Sequence, residues 1–240
     1  SSYDLISFYL SIEIQSLCFY VLATFKKENA FSSEAGLKYF ILGAFSSGLL
    51  LFGSSLIYGY AGSTQFEDLS RLFLITQFDQ FISSGIFIGL LFVGISLLFK
   101  LTAAPFHMWA PDVYEGSPTI VSLFFSAVPK IAIFGLTIRL FISIFYGLFN
   151  VWQPIFIFCA LASLLVSVFA SLSQFKIKRF LAYSSIGHVG FMLIALASGS
   201  IEGVQSLLIY LVIYLITTIG SWTFILALKD RKSTRLNSSH

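Results

Sequence analysis

Apolar residues run along this chain in long blocks, not in the short one-sided stripes of a water-soluble fold. A helix needs about 20 apolar residues to cross a hydrocarbon core of roughly 30 Å. Blocks of that order fall at approximately 3 to 25, 37 to 60, 81 to 110 with an interruption, 118 to 147, 151 to 173, 180 to 199 and 203 to 228. Strands of an outer-membrane barrel would alternate apolar and polar positions. Runs such as Leu49-Leu50-Leu51-Phe52 and Ile88-Gly89-Leu90-Leu91-Phe92-Val93 do not. The pattern predicts an all-α membrane protein, a polytopic bundle of about seven transmembrane helices with one of them interrupted. The connections at Asn150 to Pro154 and Gly199 to Gly203 are short, so residues 1 to 229 read as a single bundle with no linker and no visible sequence repeat.

Composition sharpens this. Only 10% of residues are charged and 57% are hydrophobic, whereas soluble domains carry about 25% charged residues. Fourteen Lys and Arg set against eleven Asp and Glu leave a net charge of +3 and no dense basic patch, which excludes a nucleic-acid binder. Cys18 and Cys159 lie inside apolar blocks, without the spacing of a zinc site or a disulfide scaffold. When successive connections are assigned to alternate sides, Lys26, Lys27, Lys38, Lys176, Lys178, Arg179 and Lys229 share one face. The other face holds Arg71 beside Glu67, Asp68, Asp79 and Glu202. By the positive-inside rule the basic face is cytoplasm or mitochondrial matrix, and the first residue lies outside. The chain starts on Ser1 with no leader pattern and reads as an internal fragment. Residues 230 to 240, polar and unpatterned, read as a non-native tail outside the fold.

Charges inside hydrocarbon cost at least about 2.5 to 3.5 kcal/mol, so each asks for an explanation. Glu13 sits about 15 Å into the first block at 1.5 Å per residue. Its plainer alternative is a buried carboxylate hydrogen-bonded to a neighbouring helix. Lys100 ends an apolar stretch and is followed by Pro105, His107 and Pro111, which predicts a helix break just after it. Free backbone groups at such a break are tolerated only against protein or a wet cavity. The alternative is a lysine reaching an interface, although Leu101 to Trp109 continues mostly apolar. Lys130 lies deepest, about 18 Å past an expected Ser117 cap and Pro118 start, directly after Pro129. Glu13 and Lys130, at similar depth, are expected to pair. Arg139 reads as a structural or interfacial charge, while His107 and His188 are balanced between core histidines and steps on a proton path. No phosphate loop, GxSxG elbow, HExxH, haem or iron–sulfur motif occurs, so a redox cofactor would belong to a partner.

The stretches FKLTAAPFHMWAPDVYEGSPTIVSLFFSAVPKIAIFGL (99 to 136), KIKRFLAYSSIGHVGFML (176 to 193) and SIEIQSLCFYVLA (11 to 23) closely resemble the antiporter-like membrane subunits of respiratory complex I, in the branch of mitochondrial subunit 2 and bacterial subunit N. The likeness extends from residue 3 to about 228, through AGLKYFILGAFSSGLLLFG (35 to 53) and IEGVQSLLIY (201 to 210). It implies a fourteen-helix fold of two inverted five-helix repeats, of which this chain resembles the fifth to eleventh helices. It further implies that Glu13, Lys100 and Lys130 form the first half of a proton channel, with His107 and His188 as hydrated relays and the final lysine absent. The implied activity is that of a proton-translocating subunit of NADH:ubiquinone reductase, with the other membrane-arm subunits and the lipid bilayer as partners. NADH, FMN, iron–sulfur clusters and ubiquinone would sit elsewhere in the complex. The implied location is the mitochondrial inner membrane, with bacterial plasma membrane and plastid thylakoid as rivals. Three other readings stand beside it: a subunit of a stand-alone cation/proton antiporter, a small-solute secondary transporter, and a passive scaffold.

Overall fold

The computed structural model describes residues 3–26, 29–75 and 80–237. Lys27 and Asp79 of the charge assignment, and residues 238–240 of the tail, lie outside the described residues. Helix α1 is Leu5–Ala23, started by Asp4, whose carboxylate accepts the backbone N–H of Ser7 at 2.5 Å. Helix α2, Ala30–Ala61, begins earlier than its apolar block because Asn29 caps it, and it ends on Gly62 at φ +74°, a left-handed position suited to glycine. A short helix α3, Phe66–Ile75, was not expected from the apolar blocks. It buries Phe66, Leu69 and Phe73 and turns Glu67 and Arg71 outward as a 2.6 Å ion pair, the pattern of a helix lying along an interface.

The interrupted block becomes α4, Gln80–Lys100, and α5, Trp109–Gly116. Helix α6 is Thr119–Ile138, followed by a π-helical turn over Arg139–Ile144 and a 3₁₀ turn over Tyr146–Leu148. Two local expectations change here. Pro118, not Ser117, occupies the N-cap of α6, and no side chain caps that end. The Ser117 carbonyl instead accepts from Lys178 Nζ at 2.6 Å. The expected connection at Asn150 to Pro154 is helical, because α7 runs Phe149–Leu172 and the chain has already turned before it. Trp152 and Phe156 are buried against Phe141, and the Trp152 indole donates to the Phe145 carbonyl at 3.0 Å. That aromatic packing outweighs the one backbone hydrogen bond Pro154 removes. Helices α8, Ile177–Ala197, and α9, Ile201–Asn237, follow, joined through Gly199 at φ +63°.

Among the described residues six helices are long and apolar enough to cross a bilayer: α1, α2, α6 with its π turn, α7, α8 and the Ile201–Leu228 part of α9. The seventh expected crossing is the broken one, of which Ser84–Lys100 is apolar. Its depth follows from its neighbour α2. Ser46 and Ser96 hydroxyls meet at 3.1 Å, and Tyr39 stacks on Trp109 with ring centroids 4.4 Å apart. The break therefore lies level with residues 39 to 46 of α2, about 14 to 24 Å from the start of that helix. Beyond it α5 reaches the basic face, where Asp112 pairs with Lys38 at 3.0 Å and with Arg179. Glu115 pairs with Lys176 and, at 3.2 Å, with Arg179. Part of the basic face is thus neutralised by two carboxylates that the loop-by-loop charge assignment left aside.

Candidate functional site

Pro129 shapes the middle of α6. It has no N–H to give the Phe125 carbonyl one turn back, and the Tyr114 hydroxyl donates to that oxygen instead, at 3.2 Å. The next residue, Lys130, is 1% exposed and lies about 17 Å along α6 from Thr119. Its Nζ donates to the Ser185 carbonyl of α8 at 3.2 Å and to the Tyr214 hydroxyl of α9 at 3.1 Å, and it stands 5.0 Å from the Tyr214 ring centroid. Tyr214 in turn donates to the Ser126 carbonyl at 2.8 Å. His188 packs against Tyr214 with centroids 5.2 Å apart, and its Nδ1 is 2.9 Å from the Tyr210 hydroxyl. Three helices therefore close around one buried amine with hydroxyls, carbonyls and an imidazole.

Lys100, 8% exposed, ends α4, and its Nζ donates to Ser16 Oγ of α1 at 2.5 Å. The broken backbone around it is satisfied from outside the helix. The Trp109 indole donates to the Phe99 carbonyl at 3.1 Å, and the Ala104 N–H donates to Ser163 Oγ of α7 at 2.8 Å. Thr102, inside the break, takes φ +65°, a left-handed conformation that a β-branched residue rarely adopts.

Glu13 departs from expectation. Among the described residues no ion pair joins it to either lysine, and its buried Oε2 has no hydrogen-bond partner. The expected Glu13–Lys130 pair does not form; α1 instead places Ser16, one turn on from Glu13, against the end of α4, where it accepts from Lys100. His107 lies in the break, with a buried Nδ1 that has no partner and its ring 6.4 Å from that of Tyr183. Arg139 sits in the π turn against Tyr3 and Phe66, at 5.0 and 5.5 Å from their ring centroids.

Two cavities flank Lys130. One, of about 10 Å³, is lined by both Lys100 and Lys130, with Gln15, Ser16, Tyr39, Thr102 and Trp109 among its other members. The second, of about 190 Å³, is lined by Ser126, Ser184, Ser185, His188, Tyr214 and Thr218, and runs on to Ser221 and Trp222 in the part of α9 nearer the basic face. Toward the opposite face Ile133, Phe134, Val189, Met192, Leu193 and Leu207 fill the same helices, each no more than 2% exposed. Among the described residues no group of three or more His, Cys, Asp or Glu side chains converges as metal ligands would.

Charge alone did not reveal Tyr210, Tyr214 or the serines and threonines of this site. The available signal was the i, i+4 spacing of the two tyrosines near the expected depth of Lys130.

A family profile described as NADH:quinone oxidoreductase/Mrp antiporter, TM, matches residues 2–239. The chain is 57% identical to NADH-ubiquinone oxidoreductase chain 2 of Marchantia polymorpha, over 97% of its own length and 47% of that protein's. It is 48% identical to NADH-quinone oxidoreductase subunit N of Rhodospirillum rubrum, over 96% and 47% of the two chains. A chain of respiratory complex I from Thermus thermophilus superposes with a TM-score of 0.74 at 33% identity, covering 93% of this chain and 46% of the other. The chain thus spans about half the length of the relatives it matches.

Proposed function

We propose, from the premise that this chain belongs to the NADH:quinone oxidoreductase/Mrp antiporter family of membrane proteins, that it is the central part of a proton-translocating subunit of NADH:quinone oxidoreductase. The observation that carries the reading is Lys130, a fully buried amine in mid-membrane that is hydrogen-bonded to the hydroxyl of Tyr214 and to no carboxylate. A structural lysine at that depth would call for a counter-charge. A lysine that trades its proton with hydroxyls and water calls for acceptors at hydrogen-bond distance, and those are present.

In this reading protons reach Lys130 from the basic face along the hydroxyl-lined cavity, past Ser221, Thr218 and Tyr214, with His188 and Tyr210 as side branches. The apolar plug toward the other face keeps them from leaking through. Lys100 is the partner site across the smaller cavity. Glu13 supplies a negative field at Lys100. A carboxylate's field favours the ammonium form of a neighbouring amine, and in a low-dielectric site moving that field redistributes a proton between two amines. A charge displacement arriving from a neighbouring subunit would drive the switch. His107, whose buried Nδ1 has no protein partner, is proposed as a relay through water entering the break. NADH, FMN, iron–sulfur clusters and ubiquinone are assigned to other subunits. The membrane-arm subunits and the lipid are the proposed partners, and the mitochondrial inner membrane is the proposed location.

The test is Lys130→Ala in the full-length subunit, assembled in its complex in sealed inverted vesicles. Proton uptake per NADH oxidised is expected to fall, while NADH oxidation with an artificial acceptor, which reports assembly, persists. Uptake at the wild-type ratio in assembled complex would leave a scaffold role as the correct one.

A further inference from the structure

The cavity that both Lys100 and Lys130 line includes one residue whose side-chain oxygen has no partner. Thr102 is 1% exposed, and its Oγ1 has no hydrogen-bond partner. Its backbone sits at φ +65°, a strained conformation for a β-branched residue that glycine or asparagine would adopt more readily. A buried unsatisfied hydroxyl carries a further penalty. Packing alone asks for neither the branch nor the oxygen.

The surroundings give the oxygen a use. Lys100 and Lys130 face the same space of about 10 Å³, with Gln15 and Ser16 beside Thr102. A water molecule needs about that volume and two to four polar partners. Here the lining offers two amines, the Gln15 amide and the hydroxyls of Ser16, Tyr39 and Thr102. Each lysine already spends donors elsewhere, Lys100 on Ser16 and Lys130 on Ser185 and Tyr214. An ammonium has three donors and no acceptor, so a molecule held between two amines must accept from one and donate to the other. A hydroxyl can fix the orientation of that molecule in either sense, since it both donates and accepts.

We infer that Thr102 is a positioning residue, whose hydroxyl holds a single water between Lys100 and Lys130 so that a proton passes between the two amines. The inference rests on the proposed role of the lysines and adds to it the group that orders the step between them. The proton balance is simple: Lys100 or Lys130 gives a proton to the water while the water gives one to the other amine, and Thr102 Oγ1 keeps its own.

The experiment uses the full-length subunit in its assembled complex, in sealed vesicles, with Thr102→Val, Thr102→Ala and Thr102→Ser measured beside Lys130→Ala. The rate of proton uptake is expected to fall roughly 5- to 10-fold in Thr102→Val and Thr102→Ala, the worth of about one hydrogen bond, and to stay near wild type in Thr102→Ser. Assembly is read from NADH oxidation with an artificial acceptor. Wild-type uptake in Thr102→Val or Thr102→Ala, or a loss in Thr102→Ser as deep as in Thr102→Val, overturns the positioning role. Wild-type uptake in Lys130→Ala overturns instead the proposed function on which it rests. A density map of the unsubstituted complex is a second arm that needs no variant to fold. A water within hydrogen-bond reach of Thr102 Oγ1 and of a lysine Nζ supports the inference, and a side chain filling that space overturns it.

Discussion

The Tyr214 hydroxyl stands 3.1 Å from Lys130 Nζ and hands its own proton to the Ser126 carbonyl at 2.8 Å, so the amine of α6 is bound back to its own helix through a residue of α9. The hydroxyl serves the lysine as acceptor and the backbone as donor, while the ring contributes packing and a 5.0 Å cation–π contact. Tyr214→Phe removes the first two and keeps the ring. Proton translocation in assembled complex is expected to slow about 30-fold, in line with roughly 1 kcal/mol for each of the two lost hydrogen bonds. Vesicle proton uptake beside NADH oxidation measures it. An unchanged rate would mean that Tyr214 only packs.

Helices α2 and α4 hold the break in place through glycines. A Cβ on Gly53 would lie 2.7 Å from the Gly89 carbonyl oxygen and 2.9 Å from Val93 N, contacts that only a backbone shift could relieve. On the same helix Gly59 meets nothing within 4 Å. Gly53→Ala is therefore expected to destabilise by about 1–3 kcal/mol, the usual cost of overpacking. Gly59→Ala is expected to be neutral or slightly stabilising, because alanine suits a helix interior better than glycine. Thermal unfolding of the detergent-solubilised full-length subunit compares the two. Equal effects would show that the α2–α4 approach is not set at Gly53.

What the sequence reveals follows the physics that each feature answers to. Bilayer thickness dictates helix length whatever the neighbours, so the apolar blocks locate the crossings, and Pro105 announces the break after Lys100. Helix α3 escapes because ten residues with Glu67, Asp68 and Arg71 among them do not raise the local hydrophobicity; only the spacing of Phe66, Leu69 and Phe73 betrays it. Pro154 misleads because its local preference is overridden by Trp152 and Phe156 packing on Phe141. Lys130 is conspicuous because a lysine in hydrocarbon is costly. Tyr214 is not, since a tyrosine in an apolar helix is ordinary and only the tertiary fold brings it to the amine. Depth is readable from sequence, whereas the direction a residue faces around the helix axis, and which helix lies there, are not.

That last distinction governs Glu13. Equal depth suggested Lys130 as its partner, yet α1 meets the end of α4, where Ser16, one turn on from Glu13, accepts from Lys100. Energetic coupling is expected to follow contact. Residues that share partners depart from additivity by more than about 0.5 kcal/mol, whereas separate ones add within about 0.3–0.5 kcal/mol. Glu13→Gln combined with Lys100→Arg is expected to be non-additive in the logarithm of the proton-translocation rate, and Glu13→Gln combined with Lys130→Arg is expected to be additive. Both cycles are read in assembled complex at one pH and salt concentration, since screening alters charge coupling. If the larger coupling fell on the Lys130 cycle, the carboxylate would have to swing toward α6 during turnover, and Glu13 would be the moving part of the switch, not a fixed source of field at Lys100.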